Sequence, residues 1–536
     1  MRIKKFHNLA ANSSQLIYAL HQSPGAAGTV SERSKTPATC RIVITQPDAK
    51  VITTPARDGQ NWVKLERTGS TKGFDMAVEF RSMARRLTGA VMITCMMGAP
   101  LAQAQTAPTL DPLVIAEFGT PPDIPTGALS DSVQAAVKTT FIDSVTGGRW
   151  GRDQSVGLIE IAESGDPRLV WLISDLMRFA SSPQLHNALS AAASELLGKP
   201  FQTGNNWGDV TDHLLAWDVP APPDYLTAKR AIFTEIIQGW DRIFVEGDID
   251  WRLVSWGGVL IDDRPFDTTD EPCNCIPAAD NPEVTSAKEA TWLDDDDVVF
   301  GVEVNGEYRA YPRQIMEVRE MVNDTLGGRD LGIPYCTLCG AAQAYFTDDV
   351  PAGVERPILR TSGLLSRSNK VMYDLNTYSV FDTFLGHAVT GPLAEKGVKL
   401  KQATVVTSEW GAWKAAHPET TVLKERYALG RDPDFRNGRD ANGPIFPVGD
   451  VDPRLSVHED VIGIVTGTGT PVAFQRSAAV AALTRGEDVT FEDVRLELDA
   501  GGVKAVGPNG ADIGSHQAFW FAWSQFHPGT ALWPQQ

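Results

Sequence analysis

The chain has 536 residues, a formal net charge of -19 and 42% hydrophobic residues. Such acidity argues against nucleic-acid or anionic-membrane binding as the main task, because both need a basic footprint. At roughly 150 residues per domain the length predicts two to four domains.

No apolar run reaches the ~18–20 residues of a membrane span, so no transmembrane segment is expected in the mature chain. Met83-Ala84-Arg85-Arg86 reads as a positive n-region, Leu87 to Met97 as an apolar h-region and Ala102-Gln103-Ala104 as a cleavage site. That is the pattern of a secretory signal peptide over 83–104, and it predicts a periplasmic or secreted protein. An uncleaved anchor is the alternative. Residues 1–82 lack apolar periodicity and read as a non-native or disordered extension ahead of a true start at Met83. The mature chain keeps four of the six cysteines, Cys273, Cys275, Cys336 and Cys339, and an exported chain can oxidise them.

Residues 105–128 form a Pro-rich leader. From 129 to 261 the pattern is helical. Asp166-Pro167 can start a helix, with Leu169, Leu172, Ile173 and Leu176 at helical spacing. Ser182-Pro183 opens another, and Gly198 closes it. A third runs over about Tyr225–Gln238. The segment predicts an all-helical domain, either of the HEAT type or irregular. A polar linker follows over 262–285. The β-rich domain is read over 286–536; after Asp297 the period changes to two, and Asn305-Gly306 between alternating apolar runs predicts a hairpin.

Within 286–536, Trp410-x-x-Trp413-x-x-x-His417-Pro418-x-Thr420 recurs as Trp520-x-x-Trp523-x-x-x-His527-Pro528-x-Thr530. Val299-Phe300-Gly301-Val302 with Ala310-Tyr311 is echoed by Val461-Ile462-Gly463-Ile464 with Ala473-Phe474. The expected fold class is therefore α+β: an N-terminal helical domain, then a β-rich domain with an internal duplication. Trp residues three apart pack one helix face, which favours a structural role for this segment.

The chemistry-bearing motif is Tyr335-Cys336-Thr-Leu-Cys339-Gly340. A Cys-x-x-Cys pair can be a dithiol/disulfide couple, two ligands of a thiophilic metal, or a structural disulfide. Haem attachment is excluded because Gly340 follows Cys339. Cys273-x-Cys275 could complete a four-sulfur metal site; His387, His417, Glu320 and Asp374 are further candidate ligands.

These residues resemble a known family. Arg319-Glu320-Met-Val-Asn323-Asp324, the Cys336/Cys339 motif, Ser362-Gly363-Leu364-Leu365, Met372-Tyr373-Asp374-x-x-Thr377-x-Ser379 and Phe519-Trp520-Phe-Ala-Trp523…His527-Pro528 occur in the order of domain-of-unknown-function 3179, DUF3179. The resemblance covers about Ile276–Trp533 and implies an exported or membrane-associated protein without an assigned activity. The family's usual His-Glu-x-x-Asn-Asp reads Arg319 at the His position, and Phe381 stands where a Trp is usual. If the helix starting near Pro312 extends far enough, Glu320, Asn323 and Asp324 share one of its faces.

The functional expectation is a thiol- or metal-centred site, with Cys336, Cys339, Glu320, Asp324 and Asp374 as candidate catalytic residues. Cys336 and Cys339 are the candidate metal ligands, and a thiophilic ion is the one cofactor in view. The partner is an unknown protein or small molecule. The alternatives are a scaffold module with a structural disulfide and a hydrolase using Glu320 and Asp324 as an acid/base pair.

Overall fold

The computed structural model describes residues 50–52, 64–66, 110–201, 206–268, 271, 273–425 and 443–535. The expected signal peptide and almost all of the extension before it lie outside these residues. Strands β1 (Lys50–Ile52) and β2 (Lys64–Glu66) pair antiparallel in a unit spanning Gln22–Ala107. A second compact unit holds Pro108–Gln536.

Helices come first in this second unit: α1 (Pro112–Phe118), α2 (Asp131–Val137), α3 (Asp143–Thr146), α4 (Arg152–Glu163), α5 (Val170–Met177), α6 (Pro183–Leu197), α7 (Trp207–Ala216) and α8 (Tyr225–Ile236). Their ends follow local chemistry. The Ser182 hydroxyl accepts from the N-terminal turn of α6, and Gly198 closes the helix in the left-handed region at φ 62°. Before α5, the Asp166 carboxylate accepts the Arg168 backbone N–H at 3.1 Å and grips the guanidinium at 2.9 and 2.6 Å. The same Asp-x-Arg staple forms at Asp250/Arg252, Asp262/Arg264 and Asp452/Arg454.

The helical segment does not make the separate all-helical domain, HEAT-like or otherwise, that its periodicity predicts. Its apolar core, centred on Phe141, Ile161, Leu172, Leu189 and Ile232, runs on without a break into Val254, Leu364, Val371, Tyr373 and Val380 of the strands. Trp240 Nε1 donates to Ser362 O at 2.8 Å across the same boundary. Periodicity marks the face a helix buries but not its partner, and here part of the partner is a sheet.

The β-rich remainder begins with β3 (Val254–Trp256), β4 (Ala279–Asp280), β5 (Val284–Ser286), β6 (Val298–Val304), β7 (Glu307–Pro312), α9 (Arg313–Arg319), β8 (Met321–Leu326) and β9 (Arg329–Cys336). It continues through β10 (Ala341–Ala342), β11 (Ala344–Phe346), β12 (Leu359–Ser366), β13 (Asn369–Asp374), β14 (Val380–Phe381), α10 (Gly391–Glu395), β15 (Lys401–Ala403), β16 (Val405–Glu409), α11 (Trp410–Ala416) and β17 (Thr421–Leu423). It ends with β18 (Asp460–Val465), β19 (Pro471–Gln475), α12 (Arg476–Thr484), β20 (Thr490–Phe491), β21 (Val494–Asp499), β22 (Gly502–Val506), β23 (His516–Phe519), α13 (Trp520–Phe526) and β24 (Ala531–Trp533).

These strands form five small sheets, a propeller-like set, where one duplicated β domain was expected. Two sheets share a connectivity: β16-β6-β7-β17, extended by β5, and β23-β18-β19-β24. In each, a central hairpin is flanked by one antiparallel and one parallel strand. The β6–β7 turn is Asn305-Gly306, both at positive φ, 52° and 82°, as a type I′ turn requires. A Trp packs on a strand glycine in each sheet: a Cβ on Gly301 would meet the Trp413 ring at 2.2 Å, and one on Gly463 the Trp523 ring at 2.1 Å. Trp413 Nε1 donates to Thr420 Oγ1 and Trp523 Nε1 to Thr530 Oγ1, each at 3.0 Å. The cysteine motif lies in neither sheet. It belongs to a third, β15-β11-β9-β8-β4, with β10 paired to β9.

One contact between helix and loop titrates. Asp212 in α7 accepts the backbone N–H groups of Val448 and Gly449 at 2.8 and 2.9 Å. Burial outweighs these bonds and pushes its carboxyl up to about 6. The folded state then holds its proton more tightly than the unfolded chain, so this group's contribution to stability falls as pH rises from about 4 to about 6. Asp212→Asn keeps an acceptor for both N–H groups and is expected to flatten that part of the pH profile and raise the melting temperature at pH 7.

Candidate functional site

Antiparallel pairing of β9 with β10 sets Ala341 opposite Cys336, so both cysteines flank one tight turn. Cys339 N–H donates to Cys336 O at 3.2 Å. Gly340 follows at φ 60°, and a Cβ there would fall 2.9–3.1 Å from the Phe519 ring, so a side chain would have to displace an aromatic wall. The cysteines are free thiols, 2% and 0% exposed, packed with Phe384, Val448, Phe519 and Trp523. Ser368 O lies 3.7 Å from Cys336 Sγ and 3.6 Å from Cys339 Sγ.

The two thiols differ in acidity. Burial and the Glu320 carboxylate raise the cost of ionising Cys336, but Cys339, the Lys370 backbone N–H and the Lys370 ammonium outweigh them and hold that thiol below its ordinary range. Burial first, and then Cys336 itself, push Cys339 well above that range. Cys336 is thus the readier thiolate and Cys339 the proton holder.

Glu320 joins this pair. Helix α9 stops at Arg319 and Glu320 caps it in the left-handed region at φ 49°. Its Oε1 accepts from Thr337 Oγ1 at 3.1 Å, and its Oε2 lies 3.3 Å from Lys370 Nζ. Lys370 also donates to the carbonyls of Glu320 and, at 3.2 Å, Tyr335. The sequence reading missed Lys370. The available signal was a lysine inside Asn369–Asp374, a strand buried at every position.

The other candidates lie apart from the sulfurs. The chain after Glu320 is strand β8, not a continuing helix, so Asn323 and Asp324 do not share a helical face with Glu320. Asp324 accepts from Arg309 Nη1 at 2.6 and 2.7 Å and from Tyr311 at 2.8 Å. Asn323 donates to Asp280 and Leu359 O. Asp374 organises its own turn, accepting from the N–H groups of Ile358 and Thr377 and the Thr377 hydroxyl. Arg319, at the family's His position, is fully buried and pairs with Glu425 at 2.5 Å. His417 stacks on Tyr308 with ring centroids 4.1 Å apart.

Cys273 and Cys275 form a disulfide with Cα atoms 5.1 Å apart. With Asp262 they are the one set among the described residues in which three His, Cys, Asp or Glu ligand atoms fall within 4.8 Å of one another. Asp262 already accepts from Arg264 at 2.7 and 2.9 Å and from Ala278 N at 2.8 Å. Reduction would free two thiols beside this carboxylate for a metal. Cys336 and Cys339 belong to no such set among the described residues, and the expected four-sulfur grouping does not form there.

The model of a family described as "Protein of unknown function (DUF3179)" matches residues 273–509, and over those residues the chain is similar to that family. No curated relative and no solved structure matches. Among the described residues no helix is long and apolar enough to cross a membrane.

Proposed function

We propose that this is an exported thiol–disulfide protein in which Cys336 and Cys339 are the working couple. The observation that carries the reading is the geometry of the pair: two buried free thiols flank one tight turn, both within 3.7 Å of Ser368 O, with the Lys370 ammonium against the Tyr335 carbonyl just before them. The Cys336 thiolate attacks one sulfur of a substrate disulfide and expels the other as a thiolate. Cys339 then gives up its proton and attacks Cys336 Sγ, releasing the second substrate thiol. Two electrons and the Cys339 proton pass to the substrate, its second thiolate takes a proton from solvent, and the Cys336–Cys339 disulfide remains. Glu320 and Lys370 position the pair electrostatically. Export rests on the signal pattern at 83–104, which lies outside the described residues, and the Cys273–Cys275 disulfide suits an oxidising compartment.

The test is equilibration of the Gln105–Gln536 protein in glutathione redox buffers, then alkylation and mass analysis of the Cys336/Cys339 peptide. The expected result is reversible conversion between two blocked and two unblocked sulfurs, with Cys339→Ser trapping a mixed disulfide at Cys336. A pair that stays reduced at every poise would overturn the reading. Metal analysis of the same protein separates the metal-binding alternative: near-stoichiometric metal lost in the Cys336→Ser/Cys339→Ser double variant would establish it.

A further inference from the structure

Arg178 ends helix α5 without a carboxylate partner among the described residues. Its Nε donates to Trp256 O at 2.8 Å, and no other hydrogen bond to the guanidinium is formed there. The guanidinium carbon lies 4.7 Å from the Trp207 ring centroid, 5.3 Å from Trp256 and 5.5 Å from Phe446. These walls are fixed from behind. Phe179 stacks on Trp256 at 5.2 Å, and Trp207 meets Phe446 edge-on at 6.2 Å. Gly258 borders the Nη2 side, where even a methyl group would come within 3.5 Å.

The contrast with the buried arginines is physical. Arg309 has Asp324, Arg319 has Glu425 and Arg360 has Asp280. An enclosed cation without a counter-ion is costly, and cation–π contacts recover only part of the cost. Burial alone, with no acid opposing it, brings Arg178 down to about 10. Arg178 is intermediate in exposure, where Arg319 and Arg360 are fully buried. Its two terminal nitrogens form the fork that matches a carboxylate in bidentate fashion. A monoanion cancels the single charge, whereas a phosphate dianion would leave an excess negative charge in an apolar box.

We propose that Arg178, Trp207, Trp256 and Phe446 form a binding site for a carboxylate carried on an apolar or aromatic body. The source is either a free small acid or the C-terminal carboxylate of a peptide. This site stands on its own geometry and does not depend on the thiol chemistry at Cys336.

The test is calorimetric and tryptophan-fluorescence titration with benzoate, benzamide, phosphate, and a short apolar peptide with a free or amidated C-terminus. Saturable binding of benzoate but not benzamide is expected, weakened about tenfold or more in Arg178→Gln and less in Arg178→Lys, the size of a charge-assisted bidentate pair. Preference for the free-ended peptide over benzoate would assign the site to peptide termini, and the reverse to small acids. A second measurement needs no variant: benzoate should slow dicarbonyl modification of Arg178, located by peptide mass. Equal benzoate affinity in wild type and Arg178→Gln, no saturable binding of either carboxylate, tighter phosphate binding, or no protection of Arg178 would overturn the proposal.

Discussion

Asp280→Ala is expected to lower the unfolding free energy by about 3–5 kcal/mol, the cost of leaving a buried charge without its partner. Both Asp280 oxygens are engaged by Arg360, at 2.7 and 2.5 Å, and both side chains are sealed from solvent. Asn323 Nδ2 adds a bond at 2.9 Å and the Asp267 backbone N–H another at 3.0 Å. Arg360 would be left with Asp262 at 3.7 Å, a carboxylate already committed to Arg264. Removing the orphan as well, in Asp280→Ala/Arg360→Met, is expected to recover part of the loss, because two apolar groups need no counter-charge. Urea denaturation of the three proteins checks this. A double variant no more stable than Asp280→Ala would show that the orphaned charge is not what the single variant suffers from.

Trp523→Ala and Trp413→Ala are each expected to cost about 3–5 kcal/mol, the range for emptying a buried aromatic site. The informative part is how they differ. Trp523 shares an apolar cluster with Cys336 and Cys339, whereas Trp413 packs with Val299, Ala310 and Val422 in another. Trp523→Ala should therefore expose the thiols and speed their alkylation under native conditions, while Trp413→Ala, equally destabilised, should leave that rate near wild type. Similar acceleration in both would mean that the thiols open only through global unfolding.

What the sequence could convey depended on the range of the interaction. Capping at Ser182, closure at Gly198 and the Asn305-Gly306 turn were legible because their causes lie within a few residues. The cysteine turn was legible for the same reason, with Gly340 at positive φ. Glu320 was singled out by way of a helix that in fact ends before it. Asp324 and Asp374 carry the same functional group, yet Arg309 and a local turn occupy them. Lys370 arrives from a strand 31 residues after Cys339 and pairs with Glu320, a contact no local pattern announces. The helical segment failed for a related reason. Its apolar stripes were read correctly, but they close partly against β12, β13 and β14.

The two sheets of matching connectivity bear on how the chain reaches its native state. Their outer strands meet: Val405 N–H donates to Ser515 O at 2.9 Å, at the points where β16 begins and β23 is about to begin. Each strand leads into a helix carrying the same Trp-x-x-Trp-x-x-x-His-Pro series, and each helix is met by a glycine notch, Gly301 or Gly463. During folding, an early hairpin therefore meets two strand-plus-helix segments with the same Trp spacing, one of them the wrong one. Discrimination falls to the strands themselves, Val405–Glu409 against His516–Phe519, whose side chains have little in common. In this protein the dissimilar strands act as the address labels, and the conspicuous tryptophans as the interchangeable cargo.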